Sequence, residues 1–495
     1  MKIGFDNEKY IKMQSEHIHE RISEFGGKLY LEFGGKLFDD LHASRVLPGF
    51  EPDSKLKMLL QLKDQAEIVI AVSADALQTS KRRGDSGITY DMEVLRLIDM
   101  FRSVGLFVGS VVITRNRGYS QAVESLQRIL RQHDIPVFLH YYIDGYPQNV
   151  DLIASDEGFG RNDFIETSRP LVIVTAPGPG SGKLATCLSQ VYNENRRGVR
   201  AGYAKFETFP VWSLPLKHPV NLAYEAATAD LSDVNMIDPF HREAYGKVAV
   251  NYNRDVESFP ILSAIFRKIY GHCPYKSPTD MGVNMVGYCI SDDEACKEAS
   301  KQEVIRRYYK ALLDRVVSRN PVGKEVENIE SIMDELDITT EYRKTVPPAL
   351  AIERETGQPA ATIELQDGTI VYGKTKDVFG CATAAVVNAM KYLSGIPDDK
   401  ELVPNYLLTP VQNLKTTYLG GRNPRLHIDE TLIALAVNAA DDENAQKALD
   451  AIPKLHGCDM HLTVIPTMIE QETLRKLKLN FTCEPKYQGN RLFRL

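Results

Sequence analysis

The residues best suited to chemistry lie in Leu171-Val-Ile-Val-Thr-Ala-Pro-Gly-Pro-Gly-Ser-Gly-Lys183, which runs on into Leu184-Ala-Thr-Cys-Leu-Ser-Gln190. An apolar run, three glycines and a lysine at the head of a helix-forming stretch are the parts of a phosphate cradle. Free backbone N–H groups at a helix start face the anion, no side chain blocks approach, and one positive charge is at hand. Gly178, Gly180, Ser181, Gly182 and Lys183 are the expected phosphate contacts. The stretch departs from the phosphate-loop pattern G-x-x-x-x-G-K-[ST] at two points. Pro177 stands where the pattern has glycine, and Leu184 where Ser or Thr would hold magnesium. Thr186 lies round the helix and does not replace that hydroxyl. The pattern points to phosphate binding rather than to magnesium-dependent nucleotide hydrolysis. The alternative is a plain glycine-proline turn between strand and helix.

Other segments carry weaker chemistry. Lys81-Arg-Arg-Gly-Asp-Ser-Gly87 follows an apolar strand, where α/β sheets place ligands, and its charges suit an anion. Arg82 and Arg83, with Arg115 and Arg117 after the next strand, are candidate phosphate clamps; the alternative is a solvated basic loop. His218, with Glu225 and Asp230, is a candidate acid or base, or else part of a capped surface helix. Asp238 follows the short run Val234-Asn-Met-Ile237 and is a weak candidate for an acidic metal partner. Cys381, in Phe379-Gly-Cys-Ala-Thr-Ala-Ala385, sits where a helix N-terminus would lower a thiol pKa, and His427 or His461 would serve as its base. The alternative is a small buried thiol. In His456-Gly-Cys458-Asp-Met-His461 the soft ligands would point to opposite faces of a strand, so no metal ligand set is assigned.

These candidates need elements to position them. Lys28–Phe33, Glu67–Ser73, Ser110–Thr114, Pro136–Tyr142, Leu171–Val174 and Ala201–Phe206 read as strands. Between them Asp91–Phe101, with Gly105 as a cap, Ser120–His133 and the stretch after Lys183 have helical spacing. That alternation predicts an α/β domain with a mostly parallel sheet over residues 1–218. Asn221–Leu231, Asp255–Tyr270, Asp292–Ser318 and Val326–Leu336 read as helices, a helical segment over 219–340. Thr345-Val-Pro-Pro348 reads as a linker. Residues 341–495 look α/β or α+β again, with strands at Ala361–Leu365, Gly368–Tyr372 and His461–Ile465 and helices at Ala382–Leu393 and Asp429–Asn438. No internal repeat or low-complexity segment is evident.

The whole chain has 495 residues, too many for one core, with 43% hydrophobic and 25% charged residues, a globular composition. A formal net charge of −7 argues against nucleic acid or an anionic membrane as partner. No apolar run is long enough to span a bilayer, and the N-terminus lacks a signal segment. Seven scattered cysteines suit reduced thiols. A cytoplasmic protein is expected, with a homo-oligomer left open and the cofactor unspecified.

Several motifs together are distinctive: Leu31-Glu-Phe-Gly-Gly-Lys-Leu-Phe38, Arg45-Val-Leu-Pro-Gly-Phe50, the 177–183 loop, His218-Pro-Val-Asn-Leu-Ala-Tyr-Glu-Ala-Ala-Thr-Ala-Asp230 and Ser277-Pro-Thr-Asp-Met-Gly-Val-Asn284. They resemble a bacterial domain-of-unknown-function family of about this length, a resemblance that spans essentially the whole chain. It implies an α/β N-terminal part, a small helical part and a C-terminal α/β part. It also singles out the Ser277–Asn284 loop, whose Asp280 becomes a candidate acid or base; as bare sequence the loop is equally a helix-start turn. Some members of that family carry labels such as ATP-dependent peptidase or zinc protease. A zincin needs H-E-x-x-H, and the nearest string, His19-Glu-Arg-Ile-Ser23, lacks the second histidine. A zinc protease is rejected. Three readings remain: binding of a phosphorylated small molecule or nucleotide at the 177–183 loop with group transfer or hydrolysis, a cysteine hydrolase centred on Cys381, and a non-catalytic metabolite sensor or scaffold.

Overall fold

The computed structural model describes residues 2–35, 37–38, 40–83, 87–231, 233–318 and 323–489. They form two compact units. Residues 2–225 with 233–300 make the first, and the described residues of 226–232 and 301–495 the second.

The first unit is built on strands β1 (Leu29–Phe33), β2 (Ala66–Ser73), β3 (Phe107–Asn116), β4 (Val137–Tyr141), β5 (Leu171–Thr175), β6 (Gly202–Phe206) and, later in the chain, the two-residue β9 (Gly282–Val283). They lie in the order β4-β3-β2-β5-β1-β6-β9, with every neighbouring pair parallel. Every residue of β2 and β5 is buried, as apolar runs must be in a parallel sheet covered on both faces. The one charge within β2, Glu67, is met by the N–H and hydroxyl of Ser168 at 2.7 and 3.0 Å. Helix Tyr90–Ser103 buries Tyr90, Val94, Leu97, Ile98 and Phe101, one stripe at helical spacing, against β2 and β3. Helix Lys183–Arg196 leaves β5 and packs on β1, β5 and β6. A short antiparallel pair, β7 (Asn235–Ile237) and β8 (Val250–Tyr252), lies apart from this sheet and precedes helix Asn253–Tyr270.

The connections decide where a ligand fits. The chain leaves β2 toward β3 but leaves β5 in the opposite direction, past β1 to β6. Neighbouring parallel strands whose exits diverge open a crevice at their carboxyl ends. The glycine-rich loop begins there.

The second unit holds a four-stranded mixed sheet, β11-β10-β12-β13, from β10 (Ala360–Glu364), β11 (Ile370–Lys374), β12 (Asp459–Leu462) and β13 (Asn480–Cys483). Only β12 and β13 run parallel. Helix Cys381–Leu393 lies on β10 and β11, so close that a Cβ at Gly373 would come 2.1 Å from the Ala385 nitrogen. Ala385, Val386 and Met390 join Ile363, Met460 and Leu462 in the core. The linker expected at 345–348 is instead a helix start. Pro347 and Pro348 occupy the first turn of Val346–Thr356, where a missing N–H costs nothing. Arg343, just before it, is buried, pairs with Asp459 at 3.1 Å and donates to the Asn480 carbonyl at 2.6 Å. Among the described residues no helix is long and apolar enough to cross a membrane.

Candidate functional site

The loop after β5 is fastened from three sides. Gly182, at φ +88°, caps helix Lys183–Arg196, and a Cβ there would sit 2.7 Å from Thr114 Oγ1. That hydroxyl, near the end of β3, donates to the Ser181 carbonyl at 2.8 Å. A Cβ at Gly178 would come 2.3 Å from the Tyr90 hydroxyl, and Lys81 Nζ donates to the Pro179 carbonyl at 3.4 Å. The buried Ser181 hydroxyl is spent inside the loop, on the Gly178 carbonyl at 2.9 Å. Gly180 needs the left-handed region at φ +78° and is exposed. Lys183 is half-buried and makes no hydrogen bond or ion pair among the described residues. Glycine at 178 and 182 is required by the packing itself.

The expected clamps have different fates. Arg115 is half-exposed beside the crevice with its backbone at φ +56°, a strained conformation for a non-glycine residue, and approaches Asp75 at 3.8 Å. Arg82 is exposed and donates to the Gly87 carbonyl at 2.8 Å. Arg83 turns inward to Glu93, a fully buried carboxylate that also takes two 2.7 Å bonds from Arg96. Arg117 stacks on Tyr142, 3.5 Å from its ring centre. Gly84, Asp85 and Ser86 of this basic loop, and Lys36 of the Leu31–Phe38 motif, lie outside the described residues.

The same edge carries a charged cluster built from residues inside the strands. Glu32 on β1 and Lys205 on β6 are register partners, as are Tyr30 and Tyr203, so all four share one face. The Tyr203 hydroxyl donates to Glu32 at 2.9 Å. Lys205 Nζ is 2.7 Å from Glu207 and bonded to Asp255 of helix Asn253–Tyr270. Burial opposes the ammonium charge, yet Asp255, Glu207 and Glu32 together hold Lys205 above its ordinary pKa. One cation between two close carboxylates leaves a surplus of negative charge. Burial and Asp255 push the Glu207 carboxyl up, against the pull of Lys205, to about 7. Cys187, one helical turn beyond Lys183, links this cluster to the loop: burial and Glu32 raise its thiol, and Lys183 opposes them. A charge one residue from the end of an otherwise apolar strand, in Leu31-Glu-Phe33 and Ala204-Lys-Phe206, was the available signal.

The remaining candidates lie in other settings. His218 is buried, with Nε2 3.0 Å from Asp293 and Nδ1 accepting the Val220 N–H at 3.3 Å; burial holds its pKa below the ordinary value despite Asp293. Glu225 accepts the Asn235 N–H at 3.2 Å, while Asp230 belongs to the second unit. Asp280 accepts the Tyr245 hydroxyl at 2.8 Å and the Lys276 N–H at 2.9 Å. Asp238 caps helix Pro239–Tyr245 and takes the Thr279 hydroxyl at 2.7 Å. In the second unit, Cys381 shares a hollow of about 50 Å³ with His427 and Glu470. Burial, then Glu470, pushes its thiol up to about 12, which outweighs the helix terminus. His461 is held elsewhere, between Thr482 at 2.9 Å and Glu484 at 3.3 Å. No group of three or more metal-ligating side chains occurs among the described residues.

Fold and site together describe a multidomain α/β protein whose parallel sheet carries a glycine-rich, lysine-bearing turn at its switch point. Residues 3–337 match the family described as "Domain of unknown function DUF1846, N-terminal", and residues 341–493 match its C-terminal counterpart. The chain belongs to this family. It is 54% identical over 493 residues to the UPF0371 protein cu0538 of Corynebacterium urealyticum, with 99% of each chain covered. It is equally 54% identical over 493 residues to a UPF0371 protein of Streptococcus thermophilus, covering 100% of this chain and 99% of the relative.

Proposed function

We propose that this protein binds a phosphorylated small molecule, a nucleotide or a sugar phosphate, at Gly178–Lys183, and carries out group transfer or hydrolysis on it. The observation that carries the reading is the loop's construction. An exposed glycine turn heads a helix of 14 residues, beside a lysine with no partner of its own among the described residues, at the divergence of β2 and β5. Backbone N–H groups and the helix dipole favour an anion there, and Lys183 supplies the charge. Arg115 and Arg82 stand ready as further clamps. Glu207, 2.7 Å from Lys205, joins His218 and Asp280 as a candidate acid or base, its carboxyl pushed up by burial and Asp255. A thermal-shift screen against nucleotides and sugar phosphates tests the reading, since a ligand held at 100 times its Kd stabilises the native state by about 2.7 kcal/mol. Lys183→Ala should then weaken the ligand by about tenfold or more, the worth of one charge-assisted hydrogen bond. An affinity unchanged by that substitution would remove the loop from the site.

A further inference from the structure

A second hollow in the first unit shares no residue with the phosphate loop. It lies among helix Pro239–Tyr245, helix Asn253–Tyr270 and the turn 271–276, and encloses about 680 Å³. That is the size of a small-molecule site, roughly 300–1,000 Å³. Its floor is aromatic: Phe259 and Tyr275 are buried, and Phe240 meets Phe259 at 4.9 Å between ring centres. Its rim carries two cations: Arg267 and Lys276 are exposed and line the opening, with the exposed His272 beside them. None of the three has an ion-pair partner among the described residues. Two nearby acids have partners of their own. Asp151 pairs with Lys268 at 2.6 Å, and Asp280 is held by the Tyr245 hydroxyl and the Lys276 N–H.

An aromatic floor under an unneutralised cationic rim is complementary to a flat ring bearing a negative group. The ring gains by stacking and burial, while the guanidinium fork of Arg267 and the Lys276 ammonium meet the anion. We propose that this hollow binds an aromatic anion, a ring carrying a carboxylate or a phosphate group.

Cys273 provides the readout. Of the seven free cysteines it alone is half-exposed, the other six being buried, and it lines the hollow. The experiment measures alkylation of Cys273 by iodoacetamide in the full chain, by mass spectrometry, with naphthoate, naphthyl phosphate or the neutral naphthylmethanol present. At ten times its Kd an occupying anion should slow alkylation about tenfold. Protection by either anion supports the proposal and tells the carboxylate from the phosphate. The double substitution Arg267→Gln with Lys276→Gln changes two exposed side chains, leaves folding intact by circular dichroism, and should abolish the protection. Lys183→Ala should leave it unchanged. The proposal is overturned if neither anion protects, if naphthylmethanol protects equally well, if the double variant is still protected, or if Lys183→Ala removes the effect.

Discussion

The two sheets treat their polar groups in opposite ways. In the four-stranded sheet most have a partner: His461 Nδ1 on Thr482, the Thr362 hydroxyl on the Thr345 carbonyl, and the Cys381 N–H on Thr375, with Glu484 3.3 Å from His461 Nε2. At the carboxyl edge of the seven-stranded sheet the matching is incomplete. Lys205 serves two carboxylates, Glu207 is driven toward its neutral form, Arg115 sits in a strained backbone, and Lys183 has no hydrogen-bond or ion-pair partner among the described residues. Matched networks hold a fold together. Mismatched ones cost stability, and groups perturbed in this way cluster at functional sites.

Substitution of Lys205 probes this contrast most strongly. Lys205→Met strands Glu207 and Asp255 as buried carboxylates and should cost about 3 kcal/mol in urea unfolding at pH 8. Glu484→Gln in the second unit keeps an acceptor for the Tyr309 hydroxyl and removes only the charge beside His461, and about 1 kcal/mol is expected. Equal losses would erase the distinction between the sheets. Gly182→Ala comes next, at about 2 kcal/mol, since the new methyl group meets Thr114 and the backbone must stay at φ +88°. A neutral outcome would mean that the loop is not pinned to β3.

Glu207 gives a pH dependence whose sign is fixed. Its native pKa, about 7, lies above the ordinary carboxylate value of 4.5. Between those values the native state binds the proton that the unfolded chain has released, so this group's contribution is present at low pH and declines as pH rises toward 7. Glu207→Gln should therefore be more stable than the parent by about 1 kcal/mol at pH 8, with the gain vanishing near pH 4.5. A variant less stable than the parent at pH 8 would show that Lys205 and Glu207 form a well-matched pair after all.

How much of this was legible in the sequence follows from distance along the chain. The apolar runs of β2 and β5 and the 178–183 turn are local patterns, and local chemistry dictates them. The Glu32 cluster is not local. Tyr30 and Glu32 meet Tyr203 and Lys205 only because β1 and β6 pair in one register, across β-strands far apart in the chain. Each looks alone like a stray charge in a strand. Arg83 illustrates the reverse error of isolation: three basic residues suggest an anion site, but one of them turns to a buried Glu93. The prolines at 347 and 348 punctuate equally well as linker or as first helical turn, and only the buried Arg343 before them decides.

The smallest expected effect on stability is the most discriminating. Lys183 is half-buried at the head of its helix, where a positive charge is unfavourably placed against the N-terminal end of the dipole. A residue kept for the fold would have a partner there; this one makes no hydrogen bond or ion pair among the described residues. Lys183→Ala should thus leave unfolding within about 0.5 kcal/mol of the parent, or raise stability slightly, even as it weakens the phosphate binding proposed for the loop. A loss of 2 kcal/mol or more, on the scale of about 2 expected for Gly182→Ala, would instead make Lys183 a structural residue, and the seven-stranded sheet would then resemble the four-stranded one in having no charge to spare.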